Sequence, residues 1–263
     1  MIKKFLNEWK EFSNENNILI YQMGKVGSTT LEETIPKSIH LHSLYANWPC
    51  SVFFEQRRKG ILKRLKGSLS DLLRRIAIKR RDKIKIITIV RDVYSRNVSM
   101  YFQNLQHWLY KYAEDYRYDN RFENIENLYD AFDKVFDHNY ALSWFDKEIK
   151  RFTNIDIYNY SFDKNAGCTR IQNDKYDILI IKLEHMEDNW KVIEEFVGKE
   201  IKLINANVST NKWYHGVYRD FIKSYRPSQN YLELLYTSKL MKHFYTDEDI
   251  MVFNNKALNI KNQ

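Results

Sequence analysis

The pattern of apolar and polar positions alternates between short strand-like runs and longer stretches with helical spacing. Short continuous or alternating apolar runs predict strands, and apolar residues three or four positions apart predict helices. The predicted strands lie at residues 18–21, 38–45, 85–90, 155–162, 168–173 and 176–184. The predicted helices lie at residues 2–15, 28–35, 62–76, 93–102, 190–197 and, as a group, 228–258. Strands that alternate with helices in this way indicate an α/β fold with a parallel sheet.

Residues 104–150 interrupt this alternation with an aromatic-rich, mostly helical segment, which we interpret as a helical cap on the sheet. No internal repeat, low-complexity tract or flexible linker divides the chain, so we expect residues 1–263 to form a single domain. With 263 residues and 44% hydrophobic content, the chain is long enough to bury a full core.

The charge balance favours an anionic ligand or partner, because 42 Lys and Arg residues face 34 Asp and Glu residues and give a net charge of +8. Thirteen of the basic residues lie between Arg57 and Lys85, where leucines recur at helical spacing. We interpret this stretch as a solvated helix face; the alternative is a docking surface for an acidic polysaccharide or an anionic lipid headgroup. The stretch contains no aromatic residue, which argues against a nucleic-acid-binding protein.

Two features predict the compartment. Cys50 and Cys168 are too few for a disulfide framework, so reduced thiols are expected. The N-terminal residues carry charges every few positions and lack the apolar core of a signal peptide, and no stretch is long enough to span a membrane. We therefore expect a soluble, cytoplasmic protein without an integral membrane segment, and the sequence leaves its oligomeric state open.

The most informative stretch follows the first predicted strand and reads Gly24-Lys25-Val26-Gly27-Ser28-Thr29-Thr30-Leu31. Glycines let backbone N–H groups approach an anion, the N-terminus of the following helix adds positive potential, and a lysine and three hydroxyl groups supply further donors. A Walker A loop has its lysine directly before the Ser or Thr, whereas Lys25 precedes Ser28 by three residues. The stretch instead resembles the 5′-phosphosulfate loop of the sulfotransferase family, Pro-Lys-x-Gly-Ser/Thr-Thr/Ser-x-Leu, with Gly24 at the position of the proline.

A second pair of residues carries the same resemblance. Arg91 ends the predicted strand 85–90, and Ser99 follows eight residues later, two turns into the next helix. The 3′-phosphate element of sulfotransferases is similar: an Arg-Asp-Pro sequence and a helix with a serine eight residues after the arginine; here Val93 replaces the proline. A late strand followed by Glu184 and a helix also resembles the family, and we expect a structural role for this glutamate. The resemblance covers about residues 18–245 and implies a three-layer P-loop-type fold with a central parallel sheet flanked by helices.

The resemblance implies transfer of a sulfuryl group from 3′-phosphoadenosine 5′-phosphosulfate (PAPS) to a hydroxyl or amine of an acceptor. 3′,5′-Adenosine bisphosphate (PAP) would be the product, and no metal would be required. Lys25 would contact the bridging oxygen, residues 24–30 would bind the 5′-phosphosulfate, and Arg91 with Ser99 would bind the 3′-phosphate. Lys212 and Arg219 are candidates near residues 205–218, where the family has a loop that closes over the nucleotide.

The reaction also needs a general base, and histidine suits neutral pH. His40 and His42 lie between the two phosphate elements, on one face of a predicted strand. They resemble the His-x-His run of uronosyl-type sulfotransferases, in which the second histidine is the base. We therefore expect His42 to be the base, with His40 as the next candidate and Glu32 and Glu55 as further alternatives. A structural role within the sheet is the alternative interpretation of each histidine.

The aromatic cap and the basic surface favour a saccharide or glycoconjugate acceptor, and the chain also resembles bacterial proteins of capsular polysaccharide synthesis. One other function stays open from the sequence. A kinase-like P-loop protein, or a nucleotide-binding protein without catalysis, would use Arg91 and Ser99 for a group other than a 3′-phosphate.

Overall fold

The computed structural model describes residues 2–45, 61–116, 124–202 and 212–259. Its five strands are β1 Ile18–Tyr21, β2 Ser38–Leu41, β3 Ile84–Val90, β4 Cys168–Gln172 and β5 Tyr176–Lys182. Its α-helices are α1 Ile2–Ser13, α2 Ser28–Thr34, α3 Ile61–Lys79, α4 Val93–Gln103, α5 Leu105–Tyr116, α6 Ile125–Val135, α7 Tyr140–Trp144, α8 Arg151–Thr153, α9 Trp190–Val197, α10 His215–Ser224, α11 Gln229–Tyr236, α12 Lys239–Phe244 and α13 Asp247–Ala257. A π-helix spans Phe145–Lys150, and 3₁₀ turns span Ile157–Asn159 and Leu183–His185.

The chain divides into two compact units, each built from two separate stretches of sequence. The first unit comprises Met1–Arg91 and Ser143–Asn207, and the second comprises Asp92–Leu142 and Val208–Gln263. The chain therefore passes from one unit to the other three times. The expectation of a single domain stays a prediction.

All five strands belong to one sheet of the first unit, in the order β2-β1-β3-β5-β4. The pairs β2–β1, β1–β3 and β3–β5 are parallel, and β4 pairs with β5 in antiparallel orientation at the edge. Every residue of β1 and of β5 is buried, as expected for parallel strands covered on both faces. The structure thus confirms an α/β fold with a mostly parallel central sheet, and the antiparallel β4 departs from the wholly parallel arrangement that we expected.

A buried arginine joins the end of α1 to the beginning of β1. Arg81 is only 1% exposed, and its guanidinium group donates from Nε to the carbonyl of Phe12 and from Nη1 to the carbonyl of Asn17, both at 2.7 Å. Burial lowers the pKa of Arg81 to about 10, which still keeps it charged at neutral pH. These charge-assisted hydrogen bonds hold the beginning of β1 next to the end of the helix before it.

Two of the predicted strands differ from the structure. The prediction of a strand at residues 155–162 is wrong, because this segment contains a 3₁₀ turn. Its backbone donors are satisfied locally: the Asp156 carboxylate accepts from the N–H of Tyr158 at 3.1 Å, and the Asp156 carbonyl accepts from the N–H of Asn159 at 3.1 Å. The strand predicted at residues 38–45 ends at Leu41, because the backbone after it bonds to a side chain instead of a neighbouring strand.

The described part of the second unit is helical and rich in aromatic side chains, which confirms the helical character predicted for residues 104–142 outside the undescribed positions 117–123. Residues 143–150 belong to the first unit and are also helical, and the role of residues 104–150 as a cap on the sheet stays a prediction. Tyr101, Phe132 and Phe221 are buried, and their rings pack with centroid distances of 5.2–6.0 Å. Helix α4 begins at Val93, where the Asp92 side chain accepts hydrogen bonds from the backbone N–H groups of residues 94 and 95. Asp92 therefore caps α4 and satisfies two of the backbone donors of its first turn.

The basic stretch forms a helix where the structure describes it, since α3 covers residues 61–79. Residues 57–60, Cys50 and Glu55 lie outside the described residues. Cys168 forms no disulfide. Among the described helices, none combines the length and the apolar character that crossing a membrane would require.

Candidate functional site

The loop predicted to bind an anion connects β1 to α2 and has an unusual backbone. Gly24, Lys25 and Gly27 have φ angles of 81°, 62° and 79°, which lie in the left-handed region. Residues other than glycine rarely adopt this conformation, and the carbonyl of Lys25 is held by a hydrogen bond from Arg91. Val26 is fully buried, while Lys25 and Thr29 are partly exposed. The loop therefore has a fixed shape with a cation and a hydroxyl group at its surface.

Gln22 is the centre of the hydrogen bonds beside this loop. Its side chain is 0% exposed, and its Oε1 accepts a hydrogen bond from the backbone N–H of Gly24. That bond orients the amide, so Nε2 faces Ser28 Oγ at 3.0 Å, His40 Nε2 at 2.7 Å and His42 Nδ1 at 2.9 Å. The glutamine thus joins the loop, the start of α2 and the two candidate histidines. Sequence reasoning missed this residue, whose only signal was a polar side chain directly after a buried strand.

His40 and His42 lie at the carboxyl end of β2, beside the carboxyl end of β1. Their ring centroids are 4.1 Å apart with an interplanar angle of 77°. His40 Nδ1 lies 2.9 Å from the Glu32 carboxylate, and Ser28 Oγ donates to the same oxygen at 2.8 Å. His42 Nδ1 lies 3.1 Å from the backbone carbonyl of Gln22. The structure therefore places both predicted histidines next to the predicted anion loop.

Glu32 was predicted only as an alternative base, and its environment gives it another role. Burial alone would raise the pKa of its carboxyl group, but hydrogen bonds from His40 and Ser28 outweigh this effect and lower the pKa. The carboxylate is therefore ionised at neutral pH and is engaged by two donors. It orients His40 and Ser28, which suits a supporting anion better than a proton acceptor.

A distant part of the chain fixes the backbone that follows β2. The indole Nε1 of Trp144 donates to the carbonyl of His42 at 2.9 Å. Glu148, which is 0% exposed, accepts from Tyr21 Oη, from Ser43 Oγ at 2.7 Å and from the N–H of Leu44 at 2.9 Å. Burial raises the pKa of Glu148, and the three hydrogen bonds counteract part of that shift. Glu148 lies in the π-helix, a type of distortion that often occurs at functional sites, and sequence reasoning did not identify it.

The two residues predicted to bind a 3′-phosphate belong to different units. Arg91 follows β3 in the first unit, and its Nη1 donates to the carbonyl of Lys25 at 3.0 Å. Ser99 is half-buried in α4 of the second unit. Arg91 therefore contacts the loop predicted to bind the 5′-phosphosulfate, while its action together with Ser99 stays a prediction.

The remaining candidates lie apart in the sequence. Lys212 is half-buried in the second unit, with Nζ 5.8 Å from the centroid of the Tyr214 ring. Arg219 is exposed on α10, and Glu184 is exposed in the turn after β5, while the structural role expected for Glu184 stays a prediction. Among the described residues, no group of three or more His, Cys, Asp or Glu side chains is arranged to hold a metal ion.

Comparison with known proteins bears on the second half of the chain. The model of the NKWYS family, described as "Putative capsular polysaccharide synthesis protein", matches residues 115–246, half of the chain. Residues 211–214, which include Lys212, read Asn-Lys-Trp-Tyr, the first four letters of the family's name. The match does not include the loop at residues 24–30 or Arg91. No curated protein and no solved structure matches the chain.

Proposed function

We propose that this chain, which belongs to the NKWYS family and so to proteins described as acting in polysaccharide synthesis, is a PAPS-dependent sulfotransferase acting on a saccharide. The sulfuryl group would move to a hydroxyl or amine of that acceptor. The fold would be a three-layer fold of the P-loop type, with the nucleotide beyond the carboxyl ends of the parallel strands.

One observation carries this proposal. The anion loop and the two candidate bases, predicted separately from the sequence, share a single hydrogen-bonded cluster around Gln22 in the first unit. Sulfuryl transfer needs an anion cradle and a proton acceptor side by side, because the acceptor attacks in line with the leaving phosphate. A loop that served only as a strand-to-helix connection would have no need of two histidines and a partly buried glutamate–serine pair beside it.

The donor set fits a phosphosulfate. Lys25 supplies a full positive charge at the loop surface, and the hydroxyl of Thr29 and the guanidinium group of Arg91 add donors beside it. Arg91 uses one of its five N–H groups on the Lys25 carbonyl. In the proposed reaction, the Lys25 ammonium stabilises the charge that develops on the departing phosphate when its bond to sulfur breaks.

The hydrogen bonds also favour one protonation state of the histidines. If His40 Nδ1 donates to Glu32, its Nε2 accepts one proton of the Gln22 amide, and Ser28 Oγ accepts the other. We then assign a proton to His42 Nδ1, which donates it in a hydrogen bond to the backbone carbonyl of Gln22. This leaves the lone pair of the ring on His42 Nε2. In this state, His42 Nε2 accepts the proton of the acceptor hydroxyl while its oxygen forms the new bond to sulfur.

Calorimetric titration with PAP, beside ATP with Mg²⁺, tests the donor. Wild type should bind PAP more tightly than ATP·Mg²⁺. Arg91→Ala should weaken PAP binding by about 1–3 kcal/mol because a charge-assisted contact is lost. Arg80→Ala is the matched control, since Arg80 is an exposed arginine of the first unit that lies after α3 and stacks on the Trp9 ring. If ATP·Mg²⁺ binds as well as PAP and Arg91→Ala changes neither affinity, the kinase-like alternative replaces the proposal.

A transfer assay with radiolabelled PAPS and a panel of bacterial polysaccharides tests the base. His42→Ala should lower the rate about 10²–10⁴-fold while PAP binding is retained. Glu32→Gln should lower the rate less and change its pH profile, because it acts through His40. Equal loss in His40→Ala and His42→Ala, with no change in the pH profile, would contradict the assignment of the base.

A further inference from the structure

Tyr45 lies three residues after His42, and two arginine side chains stack on its ring. The guanidinium carbon of Arg75 lies 4.6 Å from the ring centroid, and that of Arg151 lies 4.0 Å from it. Both distances are within the range of a cation–π contact. The tyrosine thus contacts two cations that come from α3 and from α8, in the two separate stretches of the first unit's sequence.

Backbone hydrogen bonds fix this arrangement. Arg75 Nη1 donates to the carbonyl of Leu44, and the hydroxyl of Tyr45 donates to the carbonyl of Arg151 at 3.2 Å. The N–H of Tyr45 donates to Ser43 Oγ at 3.1 Å, and Ser43 in turn donates to the buried Glu148. The Arg75 guanidinium group and the Arg151 backbone are therefore bonded to the segment that directly follows the candidate base.

The charges of this pair are not neutralised by direct contacts. From the two ring distances, the guanidinium carbons lie at most about 9 Å apart, which is within a Debye length of about 10 Å. In the part of the chain that the structure describes, neither Arg75 nor Arg151 forms an ion pair, whereas Arg74 and Arg170 both do. Glu148 is the carboxylate that interacts with Arg151, but it is buried and bonded to three other donors.

Two guanidinium groups held in place without a carboxylate partner favour a bound anion, because their planar forks match carboxylate and phosphate oxygens. Arg151 is exposed and Arg75 is half-buried, so an anion can reach them from solvent. We propose that Arg75, Tyr45 and Arg151 form a subsite for the anionic group of an acidic saccharide. This inference rests on the proposed function only for the role of that saccharide as acceptor.

The subsite is tested by binding of a hyaluronan hexasaccharide, a carboxylate-bearing probe, at physiological ionic strength. Its carboxyl methyl ester is the neutral control, and glucose 6-phosphate is the phosphate probe. Arg151→Gln and Arg75→Gln should weaken binding of the charged probe about tenfold to a hundredfold each. Arg80→Gln removes the same charge from a neighbouring stacked arginine and should change binding less than about twofold.

The outcomes separate the subsite from general attraction to a basic protein. Arginine-dependent binding of the hexasaccharide identifies a carboxylate ligand, and arginine-dependent binding of glucose 6-phosphate alone identifies a phosphate ligand. Equal weakening by Arg80→Gln, equal affinity for the methyl ester or no binding of any probe overturns the proposal. PAP titration of the same variants keeps the two proposals apart: if wild type does not bind PAP but the saccharide binds through Arg75 and Arg151, only the proposed reaction fails.

Discussion

Three glycines of the first unit have the same left-handed backbone but different surroundings, and this allows a graded test of the structure. Gly198, at the end of α9, has a φ angle of 84° and nothing within 4 Å of the position that a Cβ would take. A Cβ on Gly27, with φ at 79°, would lie 2.4 Å from the Cδ1 methyl of Leu183. A Cβ on Gly167, with φ at 72°, would lie 2.5 Å from the Cβ of His185.

The expected costs of substitution by alanine follow from these surroundings. The left-handed backbone costs a residue with a Cβ about 1–2 kcal/mol, and the lower entropy of the unfolded chain returns about 0.4–1 kcal/mol. Gly198→Ala should therefore lose no more than about 1.5 kcal/mol. Gly27→Ala should lose about 0.5–1.5 kcal/mol more, because a terminal methyl of Leu183 can move by an off-rotamer rotation. Gly167→Ala should lose about 1–3 kcal/mol beyond Gly198→Ala, because the Cβ of His185 moves only with its backbone.

Urea unfolding of the three variants, followed by circular dichroism, measures these losses. All three glycines belong to the first unit, so the same transition is compared. Leu183→Ala combined with Gly27→Ala should recover the part of the loss that comes from the methyl contact. Gly27→Ala should also weaken PAP binding, whereas Gly167→Ala should not. Equal destabilisation by all three substitutions, or the reverse order, would refute the packing described around the loop.

Three further predictions concern buried and paired charges. Burial raises the pKa of Glu148, so the folded state binds the proton of this carboxyl group more tightly than the unfolded state does. The free energy of unfolding of wild type, relative to that of Glu148→Gln, should therefore decrease as the pH rises above about 4.3, the pKa of glutamate in an unfolded chain. Glu32 should behave in the opposite way: its lowered pKa adds stability above about pH 4.3, and relative to Glu32→Gln this is lost as pH falls through the lowered pKa. Urea unfolding of wild type and of each variant across pH 3–8 measures both differences in the free energy of unfolding. A difference that does not change with pH would contradict the prediction for that residue. Arg81→Gln should destabilise by about 2–4 kcal/mol through two lost charge-assisted hydrogen bonds, and Arg80→Gln by less than about 0.5 kcal/mol; equal thermal shifts would contradict this.

Strong local patterns predicted the parts of the fold that depend on nearby residues. The apolar runs of β1 and β3 and the helix that ends before Pro36 could be identified because burial and chain stereochemistry act within a few positions. The alternating residues 155–162 misled the same reasoning, because Asp156 satisfies backbone donors that a strand would offer to a neighbour. The antiparallel direction of β4 could have been predicted, because only residues 173–175 connect it to β5 and a parallel pair needs a crossover of about a dozen residues or more.

The candidate site also contains residues that could be predicted from the sequence and residues that could not. Lys25, His40 and His42 could be selected because their residue types and spacing suggest a chemistry, and the parallel pairing of β1 with β2 brings them together. Gln22 and Glu148 escaped prediction, because a single polar residue after a strand or within a helix carries no pattern. Their importance is visible only from partners that lie up to 127 positions away, as in the bond from Tyr21 to Glu148.

This distance in sequence has a consequence for how the site works. The loop after β1 provides the donors, but the backbone that carries His42 is held by Trp144 and Glu148, which the chain reaches only after passing through the second unit. The contacts of Trp144 and Glu148 with the backbone at His42 and Leu44 therefore form only when both stretches of the first unit have come together. A short sequence motif for the loop is thus a necessary feature of the proposed activity but not a sufficient one. The supporting hydrogen bonds around Gln22 and Glu148 distinguish this candidate site from an ordinary strand-to-helix connection.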